Sequence, residues 1–186
     1  MENENDNPRK NQLALEKEVI EIQAVAEPTR KRRGEAAEAE FIARATGLGF
    51  TVLTPWGESD SYDAVIDHGL GFWRAQVKSA ASYYCGQYFM RAGGSGEPYT
   101  NKDIDFLAGH VVPENLWYIL PIEAFAGVKM LHFNPHGGRR RSKYEKYREA
   151  WCLLDCTRQA RGWKDIPAVC RCQQLAVRCA VCPLRG

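Results

Sequence analysis

The stretch that most constrains this chain is Tyr62 to Ser79, YDAVIDHGLGFWRAQVKS. Two runs rich in Val, Ile, Ala and aromatics flank His68-Gly69-Leu70-Gly71, which is the composition of two strands joined by a short turn. Side chains on a strand point to opposite faces with period two. Trp73, Ala75 and Val77 therefore face a core, and Arg74, Gln76 and Lys78 share the other face. The hairpin also brings Asp63, at the start of its first strand, across from the end of its second. A carboxylate, an amide oxygen and an ammonium then converge, which suits a divalent cation. An amphipathic hairpin with a solvated polar face fits the same residues.

At 186 residues the chain is long enough for one domain with a sizeable core and appendages. Its hydrophobic content of 45% and aromatic content of 11% are those of a folded protein. No apolar run approaches the roughly 20 residues that span a bilayer, and the acidic, polar first residues do not read as a secretory signal. No membrane partner and a cytoplasmic location are the expectations.

Charge is unevenly spread. Residues 1–28 hold seven acids and three bases, a net of −4 within a chain of +2, so the remainder carries +6. A basic body favours a polyanionic partner such as nucleic acid, because Lys and Arg release counterions from phosphates. Residues 1 to about 12 have no apolar period and read as disorder. Leu15, Val19, Ile22 and Ala26 are spaced as on a short amphipathic helix over Leu13–Ala26, ended by Pro28. Arg30-Lys31-Arg32-Arg33 then reads as a basic linker, either a DNA-phosphate contact or a solvated hinge. Residues 1–31 are thus an N-terminal extension, 32–154 the folded domain and 155–186 a basic tail.

The spacing predicts a helix over about Glu35 to Thr46, with Phe41, Ile42, Ala45 and Leu48 as its core stripe and Glu40 paired with Arg44 at i,i+4. Glu38 falls on or beside that stripe, where an unpaired carboxylate is costly. A metal ion or a lysine resolves the conflict; so does a marginal position in the first turn, where acids favour the helix dipole.

Asp63 followed by Gln76-Val77-Lys78 resembles the Asp…(Asp/Glu/Gln)-x-Lys signature of the PD-(D/E)XK nucleases, which have the restriction-endonuclease-like fold. Gly34-Glu35-Ala36-Ala37-Glu38, with a helix ending at Gly49-Phe50-Thr51-Val52, further resembles the opening of archaeal Holliday-junction resolvases and of group I intron-associated PD-(D/E)XK endonucleases. In those families an acid four residues after the Gly reaches the metal centre. Glu38 is the matching residue, and Glu35 the less favoured one. Two departures stand out: Gln76 replaces the commoner Asp or Glu, as it does in the intron-associated group, and Tyr62 stands where the motif's Pro would be.

Phe50 to Leu53 reads as the first strand, and the hairpin supplies the next two. Tyr88-Phe89-Met90 suggests a further strand, Gly93 to Gly96 a loop, and Asn101 to Ala108 a helix with Asn101 as its cap. Leu116 to Pro121 suits a strand buried on both faces, and Lys129 to Phe133 a last strand. The expected fold class is therefore α/β, an α-β-β-β-α-β restriction-endonuclease-like core with a mixed sheet. The resemblance spans roughly residues 32–154. Arg139-Arg140-Arg141 read as a loop before a helix holding Lys143, Tyr144, Lys146, Tyr147, Arg148 and Trp151. Those bases either touch DNA phosphates or are solvated while the aromatics cover the sheet.

The resemblance implies a metal-dependent DNA endonuclease using Mg²⁺ or Mn²⁺. Asp63 would be the principal ligand, joined by the Gln76 side-chain carbonyl, the Val77 backbone carbonyl and Glu38, and Lys78 would orient or help deprotonate the attacking water. Arg32, Arg33, Arg139, Arg140, Arg141 and Lys143 are the candidate phosphate contacts. A catalytically silent DNA-binding module, a junction-resolving or repair nuclease, and a Cys-rich metal or redox protein remain open, as does homo-oligomerisation. In the tail, Cys170-x-Cys172 and Cys179-x-x-Cys182 make either a four-thiolate Zn²⁺ site or reduced thiols. Cys85, Cys152 and Cys156 read as small buried hydrophobes. Seven cysteines, an odd number, argue against a disulfide framework.

Overall fold

The computed structural model describes residues 28–57, 59–69, 71–94, 96–137 and 142–154. The expected helix over Leu13–Ala26, the arginines 139–141, Cys156 and the four tail cysteines lie outside the described residues. Residues up to Arg33 and residues from Gly34 onward belong to two different compact units.

Helix α1 spans Arg30–Gly47. It starts earlier than expected, so the basic run is helix rather than linker. Arg and Lys are good helix formers, and Thr29 accepts the Arg32 N–H on Oγ1 at 3.3 Å as an N-cap. Ala37, Phe41 and Ala45 are its buried residues. Glu40 and Arg44 turn to other elements, Glu40 to His110 and Arg44 to Glu149.

Six of the eight strands among the described residues, β1, β2, β3, β5, β7 and β8, match expected segments. β1 (Thr51–Leu53), β2 (Ala64–Asp67) and β3 (Phe72–Ala80) pair antiparallel in order. β4 (Tyr83–Tyr84) and β5 (Gln87–Arg91) form a second hairpin, whose two-residue loop Cys85-Gly86 has φ of 49° and 81°. Positive φ at both loop positions matches the right-handed twist of hairpin strands, and it places Cys85 in solvent instead of in a core. Cys152 is buried as expected.

Asn101–Ala108 is not a helix. Thr100 donates through its N–H (2.8 Å) and its hydroxyl (2.7 Å) to Asp103 Oδ2, closing a turn, and Phe106–Val111 is strand β6, parallel to β3. Arg74 holds the two together. Its Nε lies 3.2 Å from Asp105 Oδ2, and backbone bonds of 2.9 Å run from Asp105 N–H to Arg74 O and from Arg74 N–H to Asp105 Oδ2. β7 (Leu116–Pro121) then pairs antiparallel with β6. The large sheet is β1-β2-β3-β6-β7, mixed in sense. β8 (Met130–Phe133) joins β5, giving a small antiparallel sheet β4-β5-β8.

Both faces of the large sheet are covered, so β6 and β7 are buried on each side, as the apolar run Leu116–Pro121 required. On one face Phe41 of α1 meets Trp117 and Trp151, within a core cluster that also holds Ile66, Trp73, Ala75 and Val77. On the other, Leu107, Tyr118 and Leu120 meet Met90, Leu131 and Phe133 of the small sheet, together with Ala80, Tyr99 and Tyr144. The face of β3 carrying Gln76 and Lys78 is therefore not freely solvated. The segment expected as a helix around Lys143 to Trp151 contains only one 3-10 turn, Glu145–Tyr147. Side-chain acceptance explains it: Glu145 takes the Asn134 N–H at 2.6 Å and the Tyr118 hydroxyl at 2.9 Å, and Glu149 takes the Trp117 N–H at 2.7 Å.

Candidate active site

The site arises from a mismatch in strand length. β3 has nine residues and β2 four, and Ala64 pairs with Ala75, so β3 outruns its partner beyond that point. Asp63 continues the ladder by one bond, N–H to Ala75 O at 2.9 Å. Its carboxylate then takes the place of a strand: Oδ2 accepts the Val77 N–H at 2.7 Å. A backbone donor that would otherwise be left at the end of the ladder is thereby satisfied.

Gln76, only 5% exposed, donates from Nε2 to the same Asp63 oxygen and lies 3.3 Å from Val77 O. The positive end of the amide sits between a carboxylate oxygen and a carbonyl oxygen, the electrostatic position of a cation. Rotating the amide end for end would present a third oxygen there. One carboxylate, one amide carbonyl and one main-chain carbonyl make a hard-oxygen donor set of the kind Mg²⁺ takes. Among the described residues no three of His, Cys, Asp and Glu cluster as a metal site, so such a set depends on the neutral oxygens.

Burial pushes the Asp63 carboxyl above the ordinary carboxylate range, opposed by the Val77 N–H and by the positive charge of Lys78. The sequence motif thus corresponds to one local assembly, in which Asp63, Gln76 and Val77 touch and Lys78, half-buried on β3, acts on Asp63 through its charge. Glu38 is half-buried on α1 next to the buried Ala37. Of the expected phosphate contacts, Arg32, Arg33 and Lys143 are exposed, and Lys143 Nζ lies 5.0 Å from the Tyr144 ring centroid.

Sequence reasoning missed Tyr99. This buried residue has its hydroxyl pushed up to about 12, first by burial and then by the negative charges of Asp63 and Asp103. Nothing in the spacing marks it, because its relation to Asp63 runs through the fold.

A model of the PD-(D/E)XK endonuclease family matches residues 29–154. Among solved structures, the chain is similar to a bacterial homing endonuclease, I-Ssp6803I, with 28% identity and a TM-score of 0.62 over 75% of this chain and 100% of that one. No curated protein matches significantly.

Proposed function

The chain belongs to the PD-(D/E)XK endonuclease family, and from that premise we propose that it cuts DNA with a divalent metal held by Asp63, Gln76 and the Val77 carbonyl, with Glu38 as a second carboxylate. It is a nuclease of restriction-endonuclease-like fold that resembles homing-type enzymes. The observation that carries the proposal is the shared use of the Asp63 carboxylate by Val77 N–H and the buried Gln76 amide, one residue before Lys78.

Bound Mg²⁺ or Mn²⁺ supplies Lewis acidity, lowering the pKa of water and screening charge on the phosphate. The chain's own residues do the rest. Val77 N–H fixes the orientation of the Asp63 carboxylate, so little rotamer freedom is lost when a cation or substrate arrives. Gln76 turns its oxygen inward and loses its bond to Asp63. Lys78 donates to a non-bridging phosphate oxygen and positions the attacking water, stabilising charge that develops in the transition state. Gln76 is neutral, so Asp63 and Glu38 carry the negative charge of the centre. Arg32, Arg33 and Lys143 contact phosphates, adding affinity that falls with salt.

The test is cleavage of plasmid, linear and four-way-junction DNA by wild type, Lys78→Ala and Glu38→Ala in Mg²⁺, Mn²⁺ and EDTA. Metal-dependent nicking by wild type that falls about 100-fold or more in Lys78→Ala supports the proposal. Binding of DNA without cleavage in any metal would instead identify a silent binding module.

A further inference from the structure

We propose that the outer face of the β4-β5-β8 sheet reads base edges in the major groove of the duplex, an inference that rests on the DNA-cleaving function proposed above. Tyr88 and Met90 of β5, with Leu131 and Phe133 of β8, are buried in the core. Strand alternation therefore puts Gln87, Phe89 and Arg91 on the opposite face. The register sets Tyr84 beside Gln87, His132 beside Phe89 and Met130 beside Arg91. Phe89 and His132 meet at 4.8 Å between ring centroids with their planes tilted by 56°, Tyr84 reaches Phe89 at 6.4 Å, and Gln87 Oε1 lies 3.4 Å from His132 Nδ1. Tyr84 is 70% exposed, Met130 40%, and Arg91 is exposed.

The chemistry of this face selects its partner. Arg91, Gln87, His132 and Tyr84 offer hydrogen-bonding groups, Met130 and Phe89 offer apolar contact, and none of the six is acidic. That charge pattern complements a polyanion, and Arg and Gln are side chains that pair bidentately with guanine and adenine edges. A five-residue strand is about 17 Å long, and the major groove, about 12 Å wide, admits an antiparallel ribbon.

The ribbon is also fixed to the cutting centre. β4 begins at Tyr83, three residues after β3 ends at Ala80. On its buried side Met90 Sδ lies 2.9 Å from where a Cβ on Gly109 would be, and Gly109 is the register partner of Lys78. A constant offset between the bases read and the bond cut follows.

The experiment is sequencing of ends produced from a randomised duplex library by wild type, Arg91→Ala, Arg91→Lys, Gln87→Ala and the control Phe72→Ala, an exposed residue of the large sheet. Anisotropy with the preferred duplex in Ca²⁺ gives affinity, sedimentation the oligomeric state, and circular dichroism confirms folding. Arg91→Ala is expected to weaken binding about 5- to 150-fold and to relax preference at one base position. Arg91→Lys should relax the same position with a smaller affinity loss, and Phe72→Ala should change neither. If all the variants cut with wild-type preference and affinity, the ribbon proposal is overturned while the DNA-cleaving function stands. If the ribbon variants alter oligomeric state and keep base preference, the face is a protein interface and the proposal falls. Wild type that neither binds nor cuts DNA overturns both.

Discussion

Asp63 and Val77 stand fourteen positions apart, yet the Val77 N–H donates to Asp63 Oδ2 at 2.7 Å, so a carboxylate completes a sheet edge where β2 stops. The same carboxylate is half-buried and feels the positive charge of Lys78, and its protonation state links folding to the proposed chemistry.

Asp63→Asn should abolish metal-dependent cleavage and raise the melting temperature of metal-free protein at neutral pH. Burial raises the folded-state pKa of Asp63 above its unfolded value, so the ionised form opposes folding above the folded pKa. That opposition vanishes below the unfolded pKa, near the ordinary carboxylate value of 3.8. The stabilisation should therefore shrink as pH falls through this range. Melting in EDTA across pH 3.5–7.5, about 2–4 °C per kcal/mol for a chain of this size, checks it.

Gln76→Glu places a second carboxylate where an amide now donates to Asp63. Like charges in a buried site repel, so metal-free protein should melt several degrees lower. Added Mg²⁺ or Mn²⁺ should recover more than it does in wild type, since ligand binding to the native state stabilises it by mass action. A metal-induced shift no larger than that of wild type would contradict the donor set assigned to Gln76.

Gly109→Ala should destabilise by about 1–3 kcal/mol, because its Cβ would lie 2.9 Å from Met90 Sδ. Met90 is fully buried, which limits where it can move. Urea denaturation should show the loss, and the Met90→Ala/Gly109→Ala double variant should lose less than the sum of the two single losses, because removing Met90 Sδ relieves the clash.

His110 is buried, stacked on Trp117 at 4.3 Å between centroids, with Nδ1 3.5 Å from Glu40 Oε2. Burial lowers its pKa from 6.5, partly opposed by Glu40 and Asn115. The unfolded chain then binds the proton more tightly, so stability should fall as pH drops below about 6.5. His110→Phe keeps a ring for the stack and should flatten the stability profile there, as followed by denaturation at pH 5, 6 and 7.

Much of the centre was legible because it is local. Period-two alternation placed Trp73, Ala75 and Val77 in the core, and the short turn placed Asp63 opposite Gln76. The misread segment, Asn101 to Ala108, carries polar residues that cap helices as readily as they close turns. There Thr100, Asp103 and the Arg74–Asp105 pair decided for a turn and a strand. Glu40 and Arg44 likewise had the spacing of a helical ion pair, but His110 and Glu149, distant in sequence, took them instead.

The sequence by itself determined the hairpin, the buried strand Leu116–Pro121 and the order Asp63, Gln76, Lys78, since each depends on periodicity or on neighbours within a few residues. Only the tertiary structure decided that β6 runs parallel to β3, that the Gln76 face is covered, and that β4, β5 and β8 form a second small sheet. Those outcomes depend on pairing between segments tens of residues apart. Their energies come from burial and hydrogen bonds that exist only once the partners have met.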